Sequence, residues 1–423
     1  MTPQICLYED ERFRQFFPAT YMRPVFSLRS GIAPIYKRIE RHWPQAEMAL
    51  VVREQLSVTY AHTHPDYPVN IIKKGNGGVL FLNGRIRDFG DLPEQINQAR
   101  ISTRFVNGDQ SVALFLDAKH SESLPSVFTP GAFVNAVEEH AEMIVQRDTS
   151  ATLYERLWEV VADIEKEIEL DFKFLNPPRM GHTKAVVHDG AHLVNASFIS
   201  LGDRVEVLPG AVIDATNGPV CIGKGTRIEP HAAVFGPTYI GPNSVVLAGK
   251  ITASSVGHTC RVGGELEESV FESFVNKYHA GFIGHSYVGS WVNFGAMTTN
   301  SDLKNNYSNI RVTVGGESVD TGSIKVGSFI GDHTKFGIGT LLNTGISIGV
   351  CCNIFGGILV ADKEVPSFSW GSGGQWDRYN IDKAIDTTQR TCARRSVKLT
   401  EHDIELLRQL YQGEVSDEGV IAL

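Results

Sequence analysis

From Ile222 onward an aliphatic side chain returns every sixth residue: Ile222, Ile228, Val234, Ile240, Val246. The same step runs from Ile330 through Phe336, Leu342, Ile348 and Ile354 to Val360, and earlier from Val187 through Leu193, Ile199 and Val205 to Ala211. All sixteen positions are apolar in a chain that is 42% apolar. Chance would give such a run about once in a million trials, before allowing for the choice of frame. Glycine often follows the aliphatic, as in Ile222-Gly223, Ile240-Gly241 and Ile348-Gly349. A period of six fits neither a helix nor a simple strand. It predicts a parallel β-helix of hexapeptide rungs, over residues 179–365 and of roughly eight or nine coils. The beat breaks at 213–221 and 249–255, which are expected to loop out, and most strongly at Ser301–Ser323. That polar insertion is either a functional excursion or a loop covering the prism.

The rest of the chain has other periods. Residues 1–150 alternate short apolar runs (Ile5–Tyr8, Met48–Val52, Val79–Leu82, Val112–Leu116) with helical patterns (Ile35–Arg41, Leu92–Gln98), which predicts an α/β domain. Residues 151–178 form the connector: Leu153, Leu157, Val160, Val161, Ile164 and Ile168 recur at helical spacing and predict one amphipathic helix over 153–170, stopped by Pro177-Pro178. Residues 366–423 form a helical tail, with helices expected at Ile381–Arg395 and at Glu401–Gln412, the latter capped by Thr400.

Charge and composition narrow the function classes. A net charge of −9 argues against a nucleic-acid-binding surface. No apolar run approaches the roughly 20 residues of a membrane span, and the N-terminus lacks the basic start of a signal peptide. Six cysteines without CxxC spacing read as reduced thiols of a cytosolic protein, with Cys351-Cys352 expected in packing.

The segment Phe274–Lys304, FVNKYHAGFIGHSYVGSWVNFGAMTTNSDLK, holds the densest chemistry. Its small residues, Gly284, Gly295 and Ala296, let a thin ligand approach the backbone, whose N–H groups can stabilise an oxyanion. A histidine nearby, His279 or His285, can take a proton from an attacking amine. These are the parts of acyl transfer from a thioester. Composition alone also leaves both histidines as ordinary surface rungs. A zinc site of His279, His285 and His333 would need several subunits, because side chains six apart lie on adjacent prism faces.

This segment resembles the acetyltransferase domain of bifunctional N-acetylglucosamine-1-phosphate uridyltransferase/glucosamine-1-phosphate N-acetyltransferases, in the GlmU-like form with an atypical nucleotidyltransferase domain in front. The runs NKYHAGFIGHSYVG, WVNFGAMTTNSDLKN and GSFIGDHTKFGIGTLLNTGISIG carry the match; ICLYED, RPVFSLRSG and FLNGRI fit more weakly. The resemblance implies a left-handed β-helix behind a nucleotidyltransferase-like α/β domain, and a homotrimer with the site between two prisms. It implies acetyl-CoA and an amino-sugar phosphate, in all expectation glucosamine 1-phosphate, as substrates, with UTP and Mg2+ for the N-terminal domain. Carried over by position, His279 is the catalytic base and Asn293 the sugar-site asparagine. Phe282 stands for a substrate-contacting tyrosine. Asp302 and Leu303 stand for an Asn-Tyr pair, so the acceptor pocket has changed. Asn300 is a further substrate-side candidate. Lys277, Lys304 and Lys335 are candidate phosphate-binding cations, and Gly295, Ala296 and the GIGTLLNTG run would line the coenzyme groove. No glycine-rich nucleotide loop follows ICLYED, and Asn83-Gly84-Arg85 stands where a metal-binding aspartate would end a strand. Arg23, Arg29 and Asn83 are therefore the nucleotide candidates and Asp10 the metal candidate. Two other readings stay open: a nucleotidyltransferase with a scaffolding β-helix, and a non-catalytic nucleotide-sugar-binding or regulatory protein.

Overall fold

The computed structural model describes residues 3–73, 77–129, 133, 135, 137, 139–177 and 183–413. The N-terminal domain is built on β1 (Gln4–Tyr8), β2 (Met48–Val51), β3 (Val79–Asn83), β4 (Ile86–Asp88), β5 (Thr103–Asn107), β6 (Gln110–Leu116), β7 (Val145–Asp148) and β8 (Thr152–Leu153). Six of them form one sheet in the order β2-β1-β3-β6-β5-β7. β1 pairs in parallel with β2 and β3, which aligns their carboxyl ends at one edge. These strands are buried along their whole length and mostly apolar because both faces of the sheet are covered.

The connector differs from its expected single helix. Thr152–Leu153 is a strand paired with Ile86–Asp88, and two helices follow, Leu157–Ala162 and Ile164–Leu175. Asp163 sits at the break, where Arg87 grips its carboxylate with bonds of 2.8 and 2.9 Å.

From Val186 the chain winds into a left-handed parallel β-helix of roughly ten coils. The sixfold beat is its inward row: fourteen of the sixteen positions are buried, and only Val187 and Leu193, on the uncovered end coil, are partly exposed. At each corner of the prism, successive coils place a residue in the left-handed region, and at one of them these are non-glycine residues. Phe274 (φ 66°), Trp291 (64°), His333 (62°) and Cys351 (53°) follow one another there. Each donates its N–H to a carbonyl of the preceding coil at 2.8–3.2 Å. This inter-coil bonding offsets the cost of a positive φ in non-glycine residues. Cys351 and Cys352 are buried in this packing.

The expected breaks of the beat fare unevenly. Thr216–Pro219 does turn out of the ladder, but residues 249–255 do not loop: Val245–Thr252 is one strand, bulged between Val246 and Gly249 and paired along its length with Arg261–Glu267. The insertion leaves through a bridge between Leu303 and Lys325 and forms a hairpin of Arg311–Val314 with Glu317–Asp320. It lies down on the prism. Ile310 and Val312 are buried, and the N–H groups of Gly315 and Gly316 donate to the Glu364 carboxylate at 3.0 and 2.9 Å. The same core unites the N-terminal domain, this hairpin, prism residues such as Tyr287 and Phe329, and the tail helices Ile381–Ala393 and Glu401–Gln412. One prism face is thus covered within the chain.

Candidate functional site

The His279 turn joins strands Asn276–Lys277 and Phe282–Gly284 at a prism corner. Coil stacking places further turns above it. Met297 N–H donates to the Ala280 carbonyl at 2.8 Å, and Gly339 N–H to the Ala296 carbonyl at 2.8 Å. A Cβ on Gly281 (φ 132°) would collide with the Thr298 carbonyl, so the two turns can nest only with glycine there. The corner therefore runs from His279 past Ala280, Ala296 and Gly339, with exposed Tyr278, Met297 and Ile338 along its flanks. It is a narrow lane of small residues with apolar borders and a histidine at one end. His279 is exposed, and its ring meets Tyr278 edge-on with centroids 5.2 Å apart.

Of the two expected oxyanion donors, the fold leaves one. Gly295 N–H is used by the ladder, on the Phe336 carbonyl at 2.9 Å, whereas Ala296 N–H has no acceptor among the described residues. Asn293 lies in register with Asn276 below and Lys335 above, and its Oδ1 accepts from Asn276 Nδ2 at 2.8 Å.

Several expected ligand-binding side chains are instead bound up in the prism. Lys277 takes an inward position, in register with Val262, where the neighbouring coils carry apolar residues. Its ammonium donates to the carbonyls of Gly263 and Gly281, both at 2.6 Å, and reaches that of His279 at 3.5 Å. Burial pulls it down to about 8. It braces the His279 turn from inside and is not a phosphate-binding arm. Lys335 is held in the same way by the Trp291 and His333 carbonyls, at 2.6 and 2.9 Å. Asn300 is buried, with its amide exchanging bonds with the Gly284 backbone at 2.9 and 3.0 Å. Lys304 is half-buried and donates to the Asn309 carbonyl of its own loop.

Asp302 and Phe282 both lie against Gly284, beside the His285 corner. Asp302 accepts from His285 Nδ1 at 2.7 Å, and His285 Nε2 lies 3.1 Å from Glu268. Burial pulls the imidazolium down, but the two carboxylates outweigh it and hold it at about 9. Burial also opposes the Asp302 carboxylate, and His285 outweighs it, keeping the acid below its ordinary range.

The N-terminal candidates lie away from this corner. Arg23 and Arg29 are packed between the domain and the prism, not in a nucleotide crevice. Arg23 pairs with Asp332 and donates to Ser290 Oγ at 3.2 Å. The Arg29 guanidinium donates to the Ile32 carbonyl at 2.8 Å and covers the Tyr239 ring. Asp10 does not fit a magnesium ion. Arg85 Nε lies 2.9 and 3.0 Å from its two oxygens and Nη2 at 2.6 Å, Asn83 Nδ2 donates at 2.8 Å, and Arg12 N–H caps the other oxygen at 3.2 Å. Asn83 is thereby spent on Asp10. Among the described residues no group of three His, Cys, Asp or Glu side chains is placed to hold a metal, and no helix is long and apolar enough to cross a membrane.

Residues 5–180 match the family model for sugar nucleotidyl transferases. A bifunctional sugar-1-phosphate nucleotidylyltransferase/acetyltransferase of Sulfurisphaera tokodaii is 30% identical over 139 residues, which cover 33% of this chain and 34% of that protein. A bifunctional protein GlmU of Rippkaea orientalis is 29% identical over 162 residues, 32% of this chain and 35% of its own. The chain thus spans about a third of the length of the curated relatives it matches. A UDP-N-acetylglucosamine acyltransferase structure from Campylobacter jejuni covers 56% of this chain and 99% of its own at 11% identity, with a TM-score of 0.30, a likeness too slight to bear on the site. Residues 5–180 are thus similar to sugar nucleotidyl transferases, and the chain is similar, over about a third of its length, to bifunctional sugar-1-phosphate nucleotidylyltransferase/acetyltransferases.

Proposed function

We propose that the β-helix N-acetylates an amino-sugar phosphate, glucosamine 1-phosphate being the leading acceptor, with acetyl-CoA as donor. The observation that carries this reading is the stacked corner: an exposed histidine at the end of a row of small-residue turns with apolar side chains along its flanks. His279 takes the proton from the acceptor's 2-amino group as nitrogen attacks the thioester carbon. The Ala296 N–H supports the developing oxyanion, and the leaving thiolate is coenzyme A. Asp302 and Phe282 shape the acceptor side, so the sugar's fit differs from that of enzymes with an Asn-Tyr pair there. A prism corner is open on one side, and a neighbouring copy in a homotrimer would close it, with Asn293 and the tail of an adjacent chain facing the acceptor. The reading is that of a cytosolic enzyme supplying an N-acetylated sugar phosphate.

Mass spectrometry of the protein mixed with glucosamine 1-phosphate and acetyl-CoA tests the proposal directly. N-acetylglucosamine 1-phosphate is the expected product, and its absence at any acetyl-CoA concentration would remove the proposal. A second activity, uridylyl transfer from UTP to that product, is favoured by the family match over residues 5–180. Pyrophosphate release on adding UTP and magnesium is its test.

A further inference from the structure

We infer that the N-terminal domain carries its own cation, Arg85, where a resident divalent metal would sit, and that Asp10 binds no metal ion. Ligands of open α/β sheets enter at the carboxyl ends of the strands. Here β1 runs out into Glu9 and Asp10, β2 into Arg53, and β3 into Asn83 and Arg85. Each acid faces an arginine from a neighbouring strand. Arg53 Nε lies 3.2 Å from Glu9, both side chains wholly buried. Arg85, itself buried, bonds both oxygens of Asp10 and turns its remaining N–H groups to the Tyr154 carbonyl at 2.6 Å and to Glu155 at 3.3 Å. Glu9, Asp10, Arg53 and Arg85 together carry no net charge. A magnesium ion needs oxygen ligands at about 2.0–2.1 Å in near-octahedral array. Asp10 offers none without first losing a charge-assisted fork of hydrogen bonds.

The chain also fills the space a bound ion and its waters would need. The segment after Asp10 folds back over the strand ends and buries Phe13, Phe16, Val25 and Phe26. Val25 N–H donates to Glu9 at 2.8 Å, and the Thr20 and Arg23 carbonyls accept from Arg53 at 2.7 and 3.2 Å. Phe26 lies so close to Gly84 that an added Cβ would stand 2.7 Å from its ring. The same segment then anchors on the prism through Arg23 and Asp332. The strand-end crevice has become part of the joint between two domains. This holds whether or not the domain accepts a nucleotide, because a metal arriving on a nucleotide's own phosphates is a separate matter.

Titration of the full chain with manganese, read by the paramagnetic resonance of the free ion and without nucleotide, tests the inference. The expected result is that wild type and Asp10→Asn retain the same number of ions, and that EDTA leaves the melting temperature where it was. One manganese ion per chain, present in wild type and lost in Asp10→Asn, would overturn it. Asp10→Glu, which keeps the charge and moves the carboxylate, serves if Asp10→Asn does not fold. Unchanged manganese affinity then supports a metal-free Asp10, and changed affinity contradicts it.

Discussion

The His285 imidazole donates from Nδ1 to the Asp302 carboxylate at 2.7 Å, with Glu268 on its other nitrogen at 3.1 Å. Glu268, His285 and Asp302 are one coil apart from one another, at steps of 17 residues (285 − 268 and 302 − 285), so they stack as a column. Both Glu268 and His285 are corner residues with positive φ, 41° and 47°. The column clamps the foot of the inserted hairpin to the prism, since the Asp302 carbonyl accepts from Val326 and the His285 carbonyl from Gly327.

A histidine held at about 9 makes stability depend on pH with a definite sign. Its folded value lies above its ordinary 6.5, so its contribution is complete below 6.5 and is lost as pH rises through about 9. Urea unfolding at pH 6 and pH 9.5 is expected to show a fall in stability in wild type. His285→Gln should be less stable at pH 6 and should lose less across that interval.

Lys277 offers a second expectation. Lys277→Ala removes a side chain from the prism interior and strands the Gly263 and Gly281 carbonyls. Cavity and unsatisfied acceptors together should cost about 2–4 kcal/mol, measured as a lowered denaturation midpoint. A lysine that served only to bind phosphate would leave the midpoint unchanged.

Arg23 and Asp332 give a third. Breaking a buried pair from one side leaves an uncompensated charge and costs about 3–5 kcal/mol. Arg23→Met alone should therefore destabilise strongly, and Arg23→Met with Asp332→Leu should recover most of the loss. A double-mutant cycle in urea checks this. If Arg23→Met weakened UTP binding without affecting stability, the interface role would be wrong.

Much of the fold is written in the sequence because burial is periodic. Ile222 to Val246 and Ile330 to Val360 point inward as the sixfold beat demands, and Leu92–Gln98 and Glu401–Gln412 are helices over the residues their patterns mark. The strand at 245–252 is hidden in the sequence because its bulge shifts the beat by local register while the pairing continues. The polar residues were harder to place. Lys277, Lys335 and Asn300 look like ligand-binding side chains in sequence, yet backbone carbonyls and amides of adjoining turns consume their hydrogen bonds. Only the three-dimensional stacking of coils decides that. The Glu268–His285–Asp302 column did leave a signal, its 17-residue step, which becomes readable once the coil length is known. Arg23 and Arg29 left none, because their partners Asp332 and Tyr239 lie hundreds of residues away.

The central claim rests on His279, whose exposed ring makes no hydrogen bond with the described residues, so its removal leaves the prism core untouched. The deciding measurement is the rate of glucosamine 1-phosphate acetylation by wild type and by His279→Ala, with the fold of each checked by its melting temperature. Loss of a general base predicts a kcat lower by about 10²–10⁴-fold at unchanged melting temperature. A folded His279→Ala protein that acetylates at the wild-type rate would contradict the account.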